Sequence, residues 1–451
     1  MKKRTFLKVA GAASAQAILA PWLGARARGN VPEKLKNWAG NIDYSTENLY
    51  AARSVAEVSS YVSGHSKLKV LGTRHCFNTI ADSRDGFLSL AGLDGTPQLD
   101  PAGQTVTVAA NVTYGRLAEF LHAKGWALHN LASLPHISVA GAVSTGTHGS
   151  GERNGNLSTA VRGLEMVRAS GERVALSRDQ DGQLFDGAVV GLGALGTITS
   201  ITLEVEPTFL VKQWVYENMP LEAATAHFDE IEASGYSVSL FTDWRKRNVN
   251  EVWIKSRVGA ASEFAAKPEF FSARLATSNL HPIRELSAEN CTEQMGVAGP
   301  WQERLPHFKM GFTPSAGKEL QSEFFVPRKN AAEAILAVER LNLKISPLLM
   351  ITEIRTIRAD SLWMSPCYGR DSVAIHFTWQ PDWPAVQNVL PLIESALRPF
   401  GVRPHWGKLF TMAPEEVRAG YQKYGEFAEL ARKFDPQGKF RNEFLNAYIF
   451  A

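Results

Sequence analysis

The sequence predicts an α+β protein of two domains, and three observations support that fold class. The chain has 451 residues, whereas a single domain typically has about 100 to 200. Strands and helices alternate over residues 31–206, while residues 207–403 read as an antiparallel sheet with covering helices. A composition of 45% hydrophobic and 21% charged residues is typical of a soluble protein with a buried core. Residues 404–451 are predicted to return to the first domain.

The predicted first domain begins with a helix at 46–62, indicated by the spacing of its apolar residues, and a strand at 69–71. Alternating residues predict a strand at 105–108, and an amphipathic helix follows at 114–124. The remaining strands predicted in this domain are 161–167, 173–176 and 197–205.

The predicted second domain contains strands such as 237–241 and 373–377 and a helix at 331–341. After it, residues 414–434 read as helical, and the turn-forming residues 435–438 end that helix.

Residues 1–30 are typical of an export signal. A basic start at 2–4 precedes a mildly apolar run at 9–23 and an Ala-Arg-Ala cleavage-like site at 25–27. Residues 3–8 resemble a twin-arginine signal in which lysine replaces one arginine. The run is alanine-rich and shorter than the roughly 20 strongly apolar residues that span a membrane. We expect a periplasmic or secreted protein without stable membrane insertion, or a cytoplasmic one if the signal does not function.

Charge and cysteine content exclude several classes of protein. A net charge of +3 without a long basic block argues against nucleic acid as a partner. The three cysteines, Cys76, Cys291 and Cys367, are far apart and lack Cys-x-x-Cys spacing, so neither a disulfide framework nor a zinc site is expected.

Two glycine-rich segments lead to different predictions. Residues 191–196 match the dinucleotide-binding pattern G-x-G-x-x-G, but a strand follows where a helix is required, so we predict a tight turn. This disfavours a nicotinamide-dependent dehydrogenase. In residues 138–151, small and hydroxyl side chains leave backbone N–H groups free to line a pyrophosphate. Composition alone fits a flexible surface loop equally well, although the bulkier residues 134–137 favour an ordered turn.

Residues 72–78 read Gly-Thr-Arg-His-Cys-Phe-Asn, and residues 132–141 read Ala-Ser-Leu-Pro-His-Ile-Ser-Val-Ala-Gly and continue into Thr-Gly-Thr-His-Gly at 145–149. These segments resemble the FAD-linked oxidases of the vanillyl-alcohol-oxidase superfamily, and within them the alditol oxidases. The resemblance extends over residues 37–444. It implies a vanillyl-alcohol-oxidase-type (PCMH-type) FAD-binding domain followed by a substrate-binding cap domain. Alditol oxidases have a small residue and a serine where this chain has Arg74 and Cys76.

The resemblance implies that FAD is bound covalently through His75, because a neutral imidazole is an available nucleophile near neutral pH. A lone histidine is otherwise most often a structural or surface residue. The cofactor contacts that the resemblance implies are Gly72, Thr73, Arg74, His75, Cys76, Phe77, Asn78, Ser133, Ser138, Gly141, Thr145, Gly146, Thr147, His148, Ile198 and His405.

The period of two in a strand puts Glu353 and Arg355 on one face, and likewise His376 and Thr378. From the pattern alone, a solvated ion pair is the commoner structure. The resemblance implies instead that Arg355, Lys408 and Glu353 are catalytic. The substrate-binding residues that it implies are Ser133, Glu353, Arg355, His376, Thr378 and Lys408.

Residues 403–408 read Arg-Pro-His-Trp-Gly-Lys and resemble the family segment that returns to the flavin. There Lys408 would stabilise the anionic reduced flavin, and His405 would touch the cofactor. Without the resemblance, both side chains fit a protein surface equally well.

The implied reaction transfers a hydride from the terminal carbinol carbon of a polyol to the flavin and gives an aldehyde. Arg355 and Lys408 would hold the reacting hydroxyl, while the catalytic base stays unassigned. Ala132 matches a small residue that leaves room for O2 beside the flavin, so hydrogen peroxide is the expected second product. Two alternatives remain open: an aldonolactone oxidase or dehydrogenase of the same fold, and a redox-silent sugar-binding protein. We expect a monomer and no metal site.

Overall fold

The ten strands up to residue 207 form three small sheets. In this computed structural model, which describes residues 34–312 and 319–450, a parallel sheet has the order β1-β3-β2, an antiparallel sheet has the order β4-β5-β9-β7-β8, and β6 pairs with β10. The predicted signal at 1–30 lies outside the described residues. The strands are β1 Leu49–Ala51, β2 Lys69–Leu71, β3 Phe87–Ser89, β4 Gln98–Asp100, β5 Thr105–Ala109, β6 Trp126–Ala127, β7 Val161–Val167, β8 Arg173–Ser177, β9 Thr197–Glu204 and β10 Glu206–Pro207.

A fourth sheet, of ten strands, is built from the residues between 210 and 404. Its order is β14-β15-β11-β13-β12-β18-β19-β17-β20, with β16 paired to β11. Its strands are β11 Leu210–Pro220, β12 Ser237–Thr242, β13 Asn248–Arg257, β14 Glu269–Phe270, β15 Ala273–Leu275, β16 Gly299–Pro300, β17 Leu320–Pro327, β18 Leu349–Ile357, β19 Ser372–Trp379 and β20 Arg403–Pro404. Neighbouring strands run antiparallel, as the sequence predicts.

Helices pack against these sheets, and residues of both enter the largest of several hydrophobic cores. That core joins residues of both parts of the chain, such as Leu164 and Phe324, so the predicted boundary at residue 206 stays a prediction. No helix in the described ranges is long and apolar enough to cross a membrane. The α-helices are α1 Val55–Gly64, α2 Tyr114–Ala123, α3 Val139–Ser144, α4 Arg178–Val189, α5 Leu221–Ala226, α6 Phe228–Glu232, α7 Ala331–Glu339, α8 Asn342–Ile345, α9 Trp383–Leu397, α10 Pro414–Ala419, α11 Tyr424–Phe434 and α12 Glu443–Leu445.

The predicted helix at 46–62 is wrong in its first half. Residues 49–51 form β1, which pairs with β3, and the helix begins only at Val55. Ser54 caps it by accepting a hydrogen bond from the backbone N–H of Glu57, which fixes the start of the helix. The predicted helix at 414–434 is likewise two helices, since α10 ends at Ala419 and α11 begins at Tyr424.

The turn predicted at 191–196 is confirmed. Leu192 and Gly193 have φ of 52° and 65°, and β9 follows directly. Gly196 has φ of 153°, and a Cβ there would lie 2.6 Å from the carbonyl oxygen of Val167. Glycine is needed here for close packing of the backbone, not for a phosphate.

Candidate active site

A row of polar side chains crosses three adjacent strands of the ten-stranded sheet, β18, β19 and β17. Glu353 on β18 pairs with His376 on β19, which pairs in turn with Glu323 on β17. All three residues are at most 8% exposed. The interpretation of this face as a solvated ion pair is therefore wrong, because the charges are buried.

Arg355 links the members of this row. Its Nη2 donates to Glu323 Oε1 at 2.7 Å, its Nε lies 3.6 Å from Glu353 Oε1, and its Nη1 is 3.5 Å from Ser133 Oγ. Burial alone would lower the pKa of Arg355, but the two carboxylates raise it above its ordinary value. The guanidinium therefore stays charged and joins the row to Ser133, on the segment before α3.

Glu323 is the main site residue that the sequence analysis missed. Its Oε1 also lies 3.1 Å from His148 Nε2 and 3.6 Å from His376 Nδ1. Burial would raise the pKa of Glu323, yet His148, Arg355 and His376 hold it well below its usual range. A signal was present, since residues 319, 321 and 323 are polar at every second position of a strand and so share one face.

His148 belongs to this cluster. Its Nδ1 lies 2.8 Å from the carbonyl oxygen of Gly149, and its Nε2 faces the Glu323 carboxylate. Both ring nitrogens therefore face oxygen atoms that can accept a hydrogen bond. His376 Nε2 lies 3.3 Å from Thr378 Oγ1, so these two predicted residues also meet.

Lys408 lies at the other end of the cluster. Its Nζ donates to Gln321 Oε1 and lies 4.8 Å from the centre of the Phe77 ring. The Asn78 amide donates to the carbonyls of Trp406 and Lys408 at 2.8 and 2.7 Å. The structure therefore brings together the predicted loop at 72–78 and the segment at 403–408. Burial lowers the pKa of Lys408.

His75 is held in this loop by stacking. The centre of the Trp38 ring lies 4.8 Å from that of the imidazole at an angle of 23°, and the backbone N–H of Trp38 donates to the Arg74 carbonyl at 2.8 Å. Arg74 has a positive φ of 64°, a left-handed conformation that glycine adopts with less strain because it has no Cβ. Burial is the main cause that lowers the pKa of His75 to about 3, and the charge of Lys408 is the second. The imidazole is therefore neutral at physiological pH.

A cradle of small residues lies between this loop and α3. The Ser138 hydroxyl is buried and has no hydrogen-bond partner in the described part of the chain. Gly72 and Gly141 flank it, and a Cβ on either would lie 2.9 or 2.8 Å from that hydroxyl oxygen. We call Gly72, Ser138 and Gly141 the cofactor cradle. Its open backbone and unpaired hydroxyl fit an anionic group such as a pyrophosphate.

Of the other predicted cofactor residues, some lie beside the cofactor cradle and one packs against hydrophobic core residues. Thr73 Oγ1 accepts from the Ser138 N–H at 3.1 Å, next to the cradle. Thr145 Oγ1 lies 3.2 Å from the Gly141 carbonyl oxygen and 3.3 Å from Thr147 Oγ1. Ile198 lies in β9 and packs, partly buried, against hydrophobic core residues. For residues 138–151 the sequence allows either an ordered turn or a flexible surface loop. In the structure, residues 139–144 of this segment form the short helix α3.

Comparisons with known proteins cover most of the chain. A model described as FAD binding domain matches residues 49–177, and one described as D-arabinono-1,4-lactone oxidase matches residues 312–448. Alditol oxidase from a Streptomyces species is 46% identical over 412 residues, covering 91% of this chain and 97% of that protein. L-gulonolactone oxidase from Mus musculus is 26% identical, covering 92% of this chain and 98% of that protein.

Solved structures support the fold. Cholesterol oxidase from Brevibacterium sterolicum superimposes with a TM-score of 0.72 at 14% identity, covering 92% of this chain and 96% of that one. At this identity the likeness shows the architecture alone.

Proposed function

This chain belongs to the alditol oxidase family of FAD-dependent oxidoreductases, and we propose that it oxidises the terminal hydroxyl of a polyol such as xylitol or sorbitol to the aldose, reducing O2 to hydrogen peroxide. The observation that carries the proposal is the buried row of Glu353, His376 and Glu323 joined by Arg355. Buried hydrogen-bonding groups favour a ligand with many hydroxyls, because an analogue that lacks them leaves those groups unpaired.

Each residue predicted to bind the substrate has a proposed role. Arg355 and Lys408 hold the reacting hydroxyl, since both are cations that donate hydrogen bonds. Glu353 is the acceptor for a second hydroxyl, because burial would raise its pKa but Arg355 and His307 hold it below the ordinary value. The remaining hydroxyls bond to residues that can both donate and accept, namely Ser133, His376 and Thr378.

FAD supplies the acceptor for the hydride when it is bound. The cofactor cradle would hold its pyrophosphate, and the Lys408 cation would favour negative charge on the ring system. We further propose that FAD is attached covalently through His75. The lowered pKa of His75 supports this, because it leaves the imidazole lone pair free to act as a nucleophile.

The two alternatives are less favoured. The lactone-oxidising relatives share the fold, but L-gulonolactone oxidase is 26% identical to this chain, against 46% for alditol oxidase. A redox-silent sugar-binding protein has no use for a segment that matches an FAD-binding domain.

Export through the twin-arginine-like signal at 1–30 also stays a proposal. A route that exports folded proteins suits a chain that acquires its cofactor before leaving the cytoplasm. Cell fractionation of the full chain, and of a variant with Arg4 replaced by glutamine, tests this. Equal amounts of both proteins outside the cytoplasm would contradict it.

Substrate profiling tests the central proposal. We expect oxygen uptake and peroxide formation with xylitol and sorbitol, and little turnover of L-gulono-1,4-lactone by the same preparation. Turnover of the lactone alone would replace the proposed substrate class while leaving the FAD assignment in place. No turnover of either by flavin-loaded protein would contradict the oxidase proposal.

A further inference from the structure

A buried lysine and a buried histidine lie behind Glu353 and carry no role in the reaction proposed above. His307 Nε2 is 2.7 Å from Glu353 Oε1, and Lys255 Nζ is 3.2 Å from His307 Nδ1. Lys255 is 1% exposed and His307 is 5% exposed. The three side chains form a continuous line from the interior to the carboxylate.

The His307 ring is held rigidly. Phe241 and Trp253 pack edge-on against it, with ring centres 5.5 and 5.3 Å away. Its backbone carbonyl accepts a hydrogen bond from the N–H of Thr292 at 2.9 Å. The imidazole therefore cannot turn without disturbing several packed neighbours, and its two nitrogens keep their separate partners.

The neighbours of Lys255 determine which nitrogen of His307 carries the proton. Lys255 Nζ also donates to the carbonyls of Leu305 and Pro306, the second at 3.1 Å. An ammonium has three N–H donors and no acceptor, so these two carbonyls and His307 Nδ1 use all three. If Nδ1 accepts, the ring proton of the neutral imidazole lies on Nε2 and points to Glu353.

We propose that Lys255 and His307 are positioning residues, in which Lys255 fixes the tautomer of His307 and His307 holds Glu353 as an ionised acceptor for a substrate hydroxyl. The inference rests on the polyol oxidase function proposed above. It assigns the two residues an effect on substrate binding rather than on the transfer of the hydride.

The charges around Lys255 and His307 make the positioning of Glu353 depend on pH. Burial lowers the pKa of Lys255 to about 7 against the opposing effects of Glu353 and Cys291, while Arg355 lowers it further. Burial and then Lys255 lower the pKa of His307 to about 4, so its ring is neutral at pH 7. When Lys255 loses one proton above pH 7, its amine keeps two N–H donors for three neighbouring acceptors and gains a lone pair that can accept from Nδ1–H, so the proton of the ring is no longer confined to Nε2. Affinity for the polyol should then fall as pH rises.

The test compares the KM and kcat for xylitol of the flavin-loaded full chain and its variants. His307→Leu should raise KM by about tenfold or more at pH 7 with a smaller effect on kcat, because a hydrogen bond to a charged group is lost. His307→Gln should recover most of the affinity, since its amide can donate to Glu353. It should also lose the rise of KM above pH 7, because an amide has no proton to move between two nitrogens.

Lys255→Met should raise KM as well, and Lys439→Met is its matched control. Lys439 is also buried and donates to the carbonyls of Val62 and Ala169, outside this cluster. The shift of the thermal midpoint on adding xylitol without oxygen, to protein whose flavin has first been reduced chemically, gives a second measure of binding that does not depend on turnover.

Two results would overturn the inference. One is a KM in folded His307→Leu equal to that of the wild type, and the other is an equal rise of KM in Lys255→Met and Lys439→Met. Both leave polyol oxidation by the wild type intact, so they contradict only the positioning role. A wild type that turns over no polyol contradicts the proposed function, and the inference falls with it.

Discussion

Replacing Arg355 with lysine should weaken turnover strongly without abolishing it. The guanidinium lies 2.7 Å from Glu323, 3.5 Å from Ser133 and 3.6 Å from Glu353, using a different nitrogen for each. Lysine keeps the charge but concentrates it in one ammonium group, so it cannot reach all three positions. We expect the loss of one charge-assisted hydrogen bond, worth about 1.5 to 3 kcal/mol. Since Lys408 still holds the reacting hydroxyl, kcat/KM for xylitol should fall by roughly 10- to 150-fold.

The assay is initial-rate oxygen uptake at several xylitol concentrations, normalised to bound flavin. Arg328→Lys is the matched control, because Arg328 also joins two carboxylates, Glu152 at 2.9 Å and Asp229 at 2.7 Å, away from the polar row. The control should keep the kcat/KM of the wild type. The reasoning is refuted if Arg355→Lys matches the wild type, or if both variants lose the same amount.

Three further predictions follow from the cofactor site and from a buried acid. His75→Ala should release its flavin on acid precipitation, whereas the wild type should keep it on the chain; release from both would contradict covalent attachment. Gly141→Val should lower the FAD content of purified protein, because the new side chain enters the cofactor cradle, while Gly64→Ala, with nothing within 4 Å of the added Cβ, should not. Burial raises the pKa of Glu232 from 4.5 to about 8, so its stabilising effect is complete below about 4.5 and is lost as pH rises through 8. Glu232→Gln should therefore flatten the pH dependence of the urea midpoint over that interval relative to Glu119→Gln, and an unchanged slope would argue against the assignment.

The alternation of residues predicts which side chains of this site share a face, whereas the roles of those side chains follow from the resemblance to the alditol oxidases. The period of two correctly places Glu353 with Arg355 and His376 with Thr378, because alternation is a property of any single strand. The pairing of Glu353 with His376 could not be predicted in this way. It depends on the register between β18 and β19, which is set by packing across the whole sheet.

Tertiary contacts account for what the sequence analysis missed or misread. His307 comes from an irregular segment, and only the folding of that segment against β12 and β13 brings its ring to Glu353. The first half of the predicted helix at 46–62 became β1 because pairing with β3 outweighed its helical pattern. In both cases the deciding partner is distant in sequence.

The most direct test of polyol oxidation is the visible absorbance of the purified, flavin-loaded protein when xylitol is added without oxygen. We predict that the oxidised flavin band bleaches with xylitol and returns when air is admitted, with peroxide formed in proportion. A band that xylitol and sorbitol leave unchanged, in protein that a chemical reductant still bleaches, would contradict the account.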